Sequence, residues 1–345
     1  MKLAITGGAG FLGYHLANQL KDKFDEIFLI DIEEIDPKEY PQNIRFFKVD
    51  VRDKDSLEKA LKNVDLIVHG AAALPLWKKE DIFSTNVNGT KNVLDIALKY
   101  KIERVVFVSS TAVYGIPKKH PIYEDDPLIG VGPYGESKII AENICKEYRK
   151  KGLIVPIVRP KTFIGTGRMG VFGILYDWVK DGKRIPLIGN GKNRYQLLEV
   201  EDLVDAIYLM LTLPADVVND TFNIGAKEFG TVYEDVKALC DYAGTGAKPL
   251  PTPSWLVKPI LEILWTLRLS PLYKWVYGTA DKDSFVSTEK AEKKLGWKPK
   301  YNNAQALIRS YKWFIEHYDE VMKETGVKHR TLWKQGVLKI VKWIL

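Results

Sequence analysis

The sequence predicts an α/β fold built on a doubly wound, mostly parallel sheet, with a smaller α/β lobe towards the C-terminus. Short apolar runs alternate with amphipathic stretches through the first 160 residues, the pattern of repeated βαβ units. The first run, Lys2–Thr6, empties into a turn with glycines at 7, 10 and 13. Small or polar residues follow most later runs, at the carboxyl edge where such sheets bind ligands.

Lys2–Thr6 is the first strand. Gly7 permits a tight turn, Gly10 lets backbone N–H groups approach a pyrophosphate, and Gly13 lets the next helix lie close to the sheet. That helix offers N–H donors and partial positive charge to phosphates at its N-terminus. Ile27–Asp31 is the second strand. Asp31 lies 24 positions after Gly7, where an acid can accept from a ribose 2′-OH. Strand, glycine turn, helix, strand and terminal acid together mark a Rossmann-type dinucleotide site; the glycine spacing alone would be weak evidence. The next loop carries Glu33, Glu34 and Asp36, which would repel a 2′-phosphate, so NAD is expected rather than NADP. The alternative has Lys38 or Arg45 reaching back to such a phosphate.

Ile44–Val49 reads as a third strand ending at Asp50, and residues 54–63 as a helix. Leu66–His69 is a fourth strand, followed by Gly70, Ala71 and Ala72, small residues against which a cofactor can lie. His69 reads as a packed core residue. A helix over about 80–100 carries Asn86 and an apolar stripe through Val87, Val93, Leu94, Ala97 and Leu98. Arg104–Val108 is a fifth strand, ending in Ser109, Ser110 and Thr111. A proline-containing loop leads to Tyr134 and Lys138, which open a helix to about 150, and Leu153–Val158 is a sixth strand.

Tyr134 and Lys138 stand four apart at a helix start and so share a face. A tyrosine near its ordinary pKa of about 10 is a poor base at neutral pH, and a nearby ammonium is expected to lower it. Lys138 can also bond a cofactor ribose, and Ser110 can donate to a substrate oxygen. The chemistry these residues suit is proton abstraction by Tyr134 from a secondary alcohol as hydride leaves its carbon. Taken alone, such a pair would be an ordinary surface helix contact; the neighbouring dinucleotide motif and serine-tipped strand favour catalysis.

The sequence resembles the extended short-chain dehydrogenase/reductase family, the NAD-dependent epimerase/dehydratase group. The resemblance rests on Thr6–Gly13, Asp31, Asp50, Gly70–Ala72, Asn86–Thr90, Ser109–Gly115, Tyr134 with Lys138, Arg159-Pro160, Val200–Asp202 and Lys294–Pro299, in order over residues 1 to about 318. It implies a cofactor set of Gly7, Gly10, Phe11, Leu12, Gly13, Asp31, Asp50, Val51, Gly70, Ala71, Ala72, Asn86, Tyr134 and Lys138, with Asp50 near the adenine. It implies catalysis by Ser110, Tyr134 and Lys138, a nucleotide-sugar substrate, and a homodimer formed through the helices near 86–100 and 134–150. Two departures narrow it. Sugar-nucleotide dehydratases carry acids just after the catalytic Ser/Thr, where this chain has Thr111 and Ala112, so dehydration is disfavoured. Many nucleotide-sugar enzymes have asparagine three residues after the arginine of the Arg-Pro motif; here it is Thr162.

Beyond residue 160 the alternation loosens. Helices are expected over Val171–Lys180, Glu201–Leu213 and Tyr233–Tyr242, with strands ending at Val200 and over Thr221–Gly225. Ser110, Thr111, Thr162, Arg168, Arg194 and Tyr195 are the candidate substrate contacts, with Arg184 a further phosphate candidate. Two stretches stand apart. Residues 253–277 are apolar and aromatic around Lys258, Glu262, Arg268 and Lys274. Residues 331–345 pair Trp, Ile, Val and Leu with Lys334, Lys339 and Lys342, predicting an amphipathic helix with its lysines on the polar face, suited to a membrane surface, the protein body or a partner subunit. The apolar segment, the tail and Thr162 also suit a competing reading, a dehydrogenase or reductase of a sterol- or lipid-like alcohol in the manner of the 3β-hydroxysteroid dehydrogenase branch; a non-catalytic NAD-binding protein is a third.

The organisation expected is an NAD-binding domain over 1–160 with later strand and helix returns, a substrate lobe over 161–325, and a basic tail over 326–345. The formal charge of +7 is spread among mixed lysines and acids without a basic block, arguing against nucleic acid as a partner. Cys145 and Cys240 match no metal or redox spacing, and no metal site is expected. With no leader ahead of the first strand and no uncharged run long enough to span a bilayer, a cytoplasmic protein is expected, with membrane association only through the tail.

Overall fold

The computed structural model describes residues 1–270, 272, 274–323, 330, 333 and 335–345. Pro271 and Tyr273 of the apolar segment, and residues 324–329, Thr331, Leu332 and Lys334 of the tail, lie outside the described residues.

In chain order the first stretch is β1 (Lys2–Thr6), α1 (Phe11–Leu20), β2 (Glu26–Asp31), β3 (Ile44–Lys48), α2 (Lys54–Leu61), β4 (Leu66–His69), α3 (Lys79–Phe83), α4 (Thr90–Lys99), β5 (Arg104–Val108), α5 (Gly132–Lys150) and β6 (Ile157–Pro160). Then come β7 (Thr162–Ile164), α6 (Val171–Lys180), β8 (Arg184–Ile188), β9 (Leu197–Glu199), α7 (Val200–Thr212), α8 (Ala215–Val218), β10 (Thr221–Ile224), α9 (Val232–Ala243) and β11 (Lys248–Thr252). The chain closes with α10 (Ser254–Thr266), α11 (Lys274–Thr279), α12 (Glu289–Leu295), α13 (Asn303–Glu316), α14 (Tyr318–Val321) and α15 (Leu338–Ile344). Among the described residues no helix is long and apolar enough to cross a membrane.

The chain condenses into two units. The first holds residues 1–161, 200–225 and 286–299. Its seven-stranded sheet runs β10-β6-β5-β4-β1-β2-β3, and every pairing is parallel. Parallel strands covered on both faces should be apolar throughout rather than alternating. Leu3, Ile5, Ile27, Leu29, Ile67, Val105 and Val106 are accordingly buried, each contributing about 1.5–3 kcal/mol. The order reverses between β1 and β4, so the glycine turn after β1 meets Gly70–Ala73 after β4, with the Gly70 N–H donating to the Thr6 carbonyl at 3.1 Å.

Two elements differ from the sequence-based expectation. The sixth strand is paired over Ile157–Pro160 rather than Leu153–Val158. Pro156 has no N–H to donate, so the upstream stretch serves mainly as acceptor, its Ile154 and Pro156 carbonyls taking the Val105 and Phe107 N–H groups at 3.0 and 2.8 Å. The helix over 80–100 is continuous but carries a π-helical turn at Ser84–Gly89 between α3 and α4. Such bulges cluster at functional sites, and this one holds Asn86.

A buried charge pair locks the carboxyl edge of the sheet. Arg159 on β6 bonds Glu142 on α5 through Nε (2.9 Å) and Nη2 (2.6 Å), with both side chains essentially inaccessible. Ser109 donates to Glu142 at 2.5 Å, Arg159 reaches the Tyr114 hydroxyl at 2.6 Å, and Tyr114 donates to Asn223 of β10 at 2.7 Å.

The second unit holds residues 162–199, 226–285 and 300–345. It contains two parallel strand pairs, β7 with β9 and β8 with β11. Capping boxes at Thr231/Glu234 and Asn302/Gln305 start α9 and α13. Buried Asn303 bonds the Leu197 N–H, the Tyr195 carbonyl and the Asp235 carboxylate at 2.7–2.8 Å. Replacing Glu142 by Gln should cost about 3–5 kcal/mol in urea unfolding, because it leaves the Arg159 charge buried without its counter-ion; a loss below 1 kcal/mol would contradict this account.

Candidate active site

The first unit's sheet edge gathers the dinucleotide motif. Gly7 has φ +75°, and its N–H and that of Gly8 both donate to the Ile30 carbonyl. A Cβ on Gly13 would lie 2.4 Å from the Gly7 carbonyl oxygen, and one on Gly7 would lie 2.9 Å from the Ala71 nitrogen. The two loops therefore touch, and only backbone fits between them. α1 begins at Gly10 with no side-chain cap, so no side chain competes for its first turn. Phe11 is buried in that turn and Leu12 is half-buried.

Asp31 ends β2 with its carboxylate turned to this turn, accepting the Ala9 N–H at 2.9 Å and the Glu33 N–H at 3.0 Å. Burial raises its pKa, and those N–H groups oppose the rise. In the following loop, Glu34 pairs with Lys48 at 2.8 Å, and Arg45 pairs with Glu26 at 2.5 Å. Arg45 is thus engaged on β2 rather than offered to a phosphate. For Asp50, burial alone would raise the pKa, but the Arg52 guanidinium at 2.6 Å holds it below its ordinary value. Val51 is buried against Gly89, where a Cβ would come within 2.6 Å of its Cγ2.

Asn86 is buried and grips the loop after β4. Its Oδ1 accepts the Ala73 N–H at 2.8 Å; its Nδ2 donates to the Ala73 carbonyl at 3.2 Å and to Ser137 at 3.0 Å. Its amide therefore positions the small-residue loop against α5. At β4 the Ala71 N–H donates to the Thr6 hydroxyl at 3.2 Å, and His69 lies between Thr6 (2.7 Å) and Thr90 (3.0 Å). Burial, then the Lys138 charge, pushes His69 down to about 3, as suits a packed neutral imidazole.

Ser110, Tyr134 and Lys138 converge at the same edge. Ser110 accepts the Ala112 N–H at 3.1 Å, and its side chain lies near enough to the Tyr134 phenol to oppose the rise of that group's pKa. Thr111 beside it donates to the Pro160 carbonyl at 3.3 Å. Lys138 donates to the Val108 carbonyl at 2.9 Å, with its Nζ 6.0 Å from the Tyr134 ring centroid. The expected lowering of the Tyr134 pKa by Lys138 is corrected here. Burial pushes Tyr134 up to about 12, opposed by Ser110, and pushes Lys138 down to about 8. Tyr134 as a residue nonetheless keeps partial exposure.

The remaining candidates belong to the second unit. Thr162 on β7 and Tyr195 hydrogen-bond at 3.0 Å. Arg194 is exposed, its guanidinium 4.5 Å from the Phe229 ring and 5.0 Å from that of Phe285, and its backbone N–H donates to Asp283. Arg168 lies over Phe163 at 5.5 Å. Arg184, at the start of β8, is exposed. Several residues here were not singled out from sequence. Gly8 leaves 2.7 Å between a would-be Cβ and Leu29. Ser137, Glu142 and Ser109 hold the catalytic helix and strand; Ser137 lies within the Tyr134–Lys138 run, Glu142 one turn beyond it and Ser109 beside Ser110, and that adjacency was the available signal. Lys161, buried after β6, is pushed down by burial to about 7.

Residues 3–225 match the model of the NAD dependent epimerase/dehydratase family. The chain belongs to that family. It is an enzyme of the extended short-chain dehydrogenase type, and its cofactor is NAD. An uncharacterized protein, y4nG, of Sinorhizobium fredii is 35% identical over 99% of this chain and 85% of its own length. A UDP-glucose 4-epimerase of Lactobacillus helveticus is 27% identical over 92% of this chain and 98% of its own. Among solved structures, the UDP-glucose 4-epimerase of Thermotoga maritima superposes with TM-score 0.78 at 23% identity, covering 92% of this chain and 100% of that one. An epimerase of Methanothermobacter thermautotrophicus gives 0.79 at 23%, covering 94% of each.

The enzyme's own residues fit NAD: a turn with room only for backbone, an uncapped helix start, and an acid at the second strand's end in a loop rich in carboxylates. Replacing Asp31 by Ala should weaken NAD binding about tenfold to a hundredfold by calorimetry, the worth of a hydrogen bond to a charged acceptor. His69 carries a separate expectation. With its folded pKa near 3 and an unfolded value of 6.5, the unfolded chain binds the extra proton between those pH values. Stability from this group is therefore present above pH 6.5 and lost as pH falls, by about 2–3 kcal/mol at pH 4.5. Comparing urea midpoints of wild type and His69→Gln at both pH values checks it.

Proposed function

We propose that the enzyme oxidises a secondary alcohol of a nucleotide sugar, with Tyr134 as base, and returns hydride to the opposite face, acting as an epimerase. The observation that carries this is the Ser110–Tyr134–Lys138 set at the sheet edge that also bears the glycine turn. NAD, when bound, supplies the hydride acceptor. Ser110 holds the substrate oxygen while Tyr134 takes its proton, and the carbon loses hydride as the carbonyl forms. In the reverse step Tyr134 returns the proton to that same oxygen, which only a reachable phenol can do. Lys138, one turn along the same helix face, is the group proposed to bond the cofactor ribose.

Epimerisation is preferred to dehydration because Thr111 and Ala112 follow Ser110, leaving no acid there to protonate a departing hydroxyl. Full-length relatives named UDP-glucose 4-epimerase favour a nucleotide sugar. Thr162, Tyr195, Arg168 and Arg194 are proposed as its contacts, the arginines for diphosphate. The competing reading, an apolar alcohol, loses the support of residues 253–277. Trp255, Leu256, Ile260, Ile263 and Leu267 there are exposed rather than lining an enclosed pocket.

The test is incubation of purified enzyme with UDP-glucose, without added NAD, and chromatography of the products. A 4-epimer should form with no net NADH; NADH accumulating with added NAD and alcohol, and no epimer, would overturn the proposal. Tyr134→Phe should lower kcat about a thousandfold with KM little changed. The base must be deprotonated to act, so the rate should rise with pH.

A further inference from the structure

α10 and α15, both in the second unit, are built inside out. Trp255, Leu256, Pro259, Ile260, Ile263 and Leu267 recur along one face of α10 and its C-terminal end, and all are exposed, Trp255 at 77%. The charged residues of α10 point the other way: Lys258 pairs with Asp281 at 2.6 Å, and Glu262 accepts from Tyr277 at 2.5 Å. Thr266, on the apolar face, turns its hydroxyl back to the Glu262 carbonyl.

α15 repeats the arrangement, and here the expected placement of the lysines is corrected. Lys342 faces the body, pairing with Asp177 at 2.6 Å and Asp181 at 2.7 Å, while Ile340, Trp343 and Ile344 face out, Trp343 at 82%. The two segments join where the Val337 N–H donates to the Leu269 carbonyl at 3.0 Å. Gly336 permits that approach, since a Cβ there would lie 2.2 Å from the same oxygen. The tail is held on the unit by Gln335, which accepts from Trp178 and donates to Asp177.

We propose that these two helix faces dock the enzyme on a bilayer surface carrying anionic headgroups. Among the described residues the exposed charged side chains on the two segments are Arg268 and Lys339, both cationic, and residues 331–345 contain three lysines and no acid. The acids Asp281, Asp177 and Asp181 are taken up by Lys258, Lys342 and Lys180, and Glu262 accepts the Tyr277 hydroxyl. A second copy meeting this face about a two-fold axis would set cation against cation; an anionic bilayer complements it. Exposed tryptophan and isoleucine beside lysine and arginine on a helix lying flat is the chemistry of an interfacial helix.

The test uses the full chain and sedimentation with vesicles of phosphatidylcholine alone or mixed equally with phosphatidylglycerol. Binding to the mixed vesicles is expected, weaker on phosphatidylcholine and at high salt. Ile263→Glu and Trp343→Glu should each lower partitioning about tenfold or more, with NAD binding and thermal unfolding unchanged. Absence of vesicle binding, or binding unaffected by both substitutions, overturns the proposal. So does a dimer that these substitutions split while no vesicle binds, which would assign the face to a second copy.

Discussion

The Arg159–Glu142 pair is the interaction on which the catalytic edge depends. Desolvating two charges is costly, and the cost is offset only when the remaining donors and acceptors are filled. They are filled by Ser109, Tyr114 and the Glu124 carbonyl. Those partners come from the end of β5 and the loop that follows it, while the pair itself joins β6 to α5. Glu142 lies one helical turn beyond Lys138, and Ser109 immediately precedes Ser110, so satisfying one guanidinium fixes the strand end and helix that present the catalytic set. Tyr114 passes the constraint to Asn223, tying β10 to the same network.

Within that frame, burial drives the catalytic groups towards neutrality. It disfavours phenolate and ammonium alike, raising Tyr134 and lowering Lys138. Lys138 is the nearest cation in sequence, yet it spends a hydrogen bond on the Val108 carbonyl. The chain thus supplies position: a phenol within reach of Ser110 and a lysine one turn away. A positive ring placed beside Tyr134 would then tip a proton equilibrium that the protein alone holds on the neutral side.

The cofactor half was legible in the sequence because its constraints are local. A turn that admits only glycine, and an acid at the end of the next strand, are written within thirty residues and need no distant partner. The central strands were legible for a related reason: burial on both faces demands unbroken apolar runs. What was not legible involves partners far apart in sequence. Asn86 was readable as a family position, but not that its amide bonds Ala73 and Ser137, the latter 51 residues away. The β8–β11 pairing was hidden by Pro186, Pro249 and Pro251, which a two-stranded sheet accommodates because each strand has a free edge.

The same limit explains the two inside-out helices. Hydrophobic periodicity gives the angle of an apolar face around a helix axis but not its sign, because an inward and an outward face have one spectrum. The sign is set by what the polar residues find. Lys258 finds Asp281, 23 residues on, and Lys342 finds Asp177, 165 residues back. With those charges satisfied inward, the apolar faces must turn outward, exposing surface that water disfavours. Isolated apolar residues on a surface need no explanation, but contiguous ones on two linked helices mark a place where something binds.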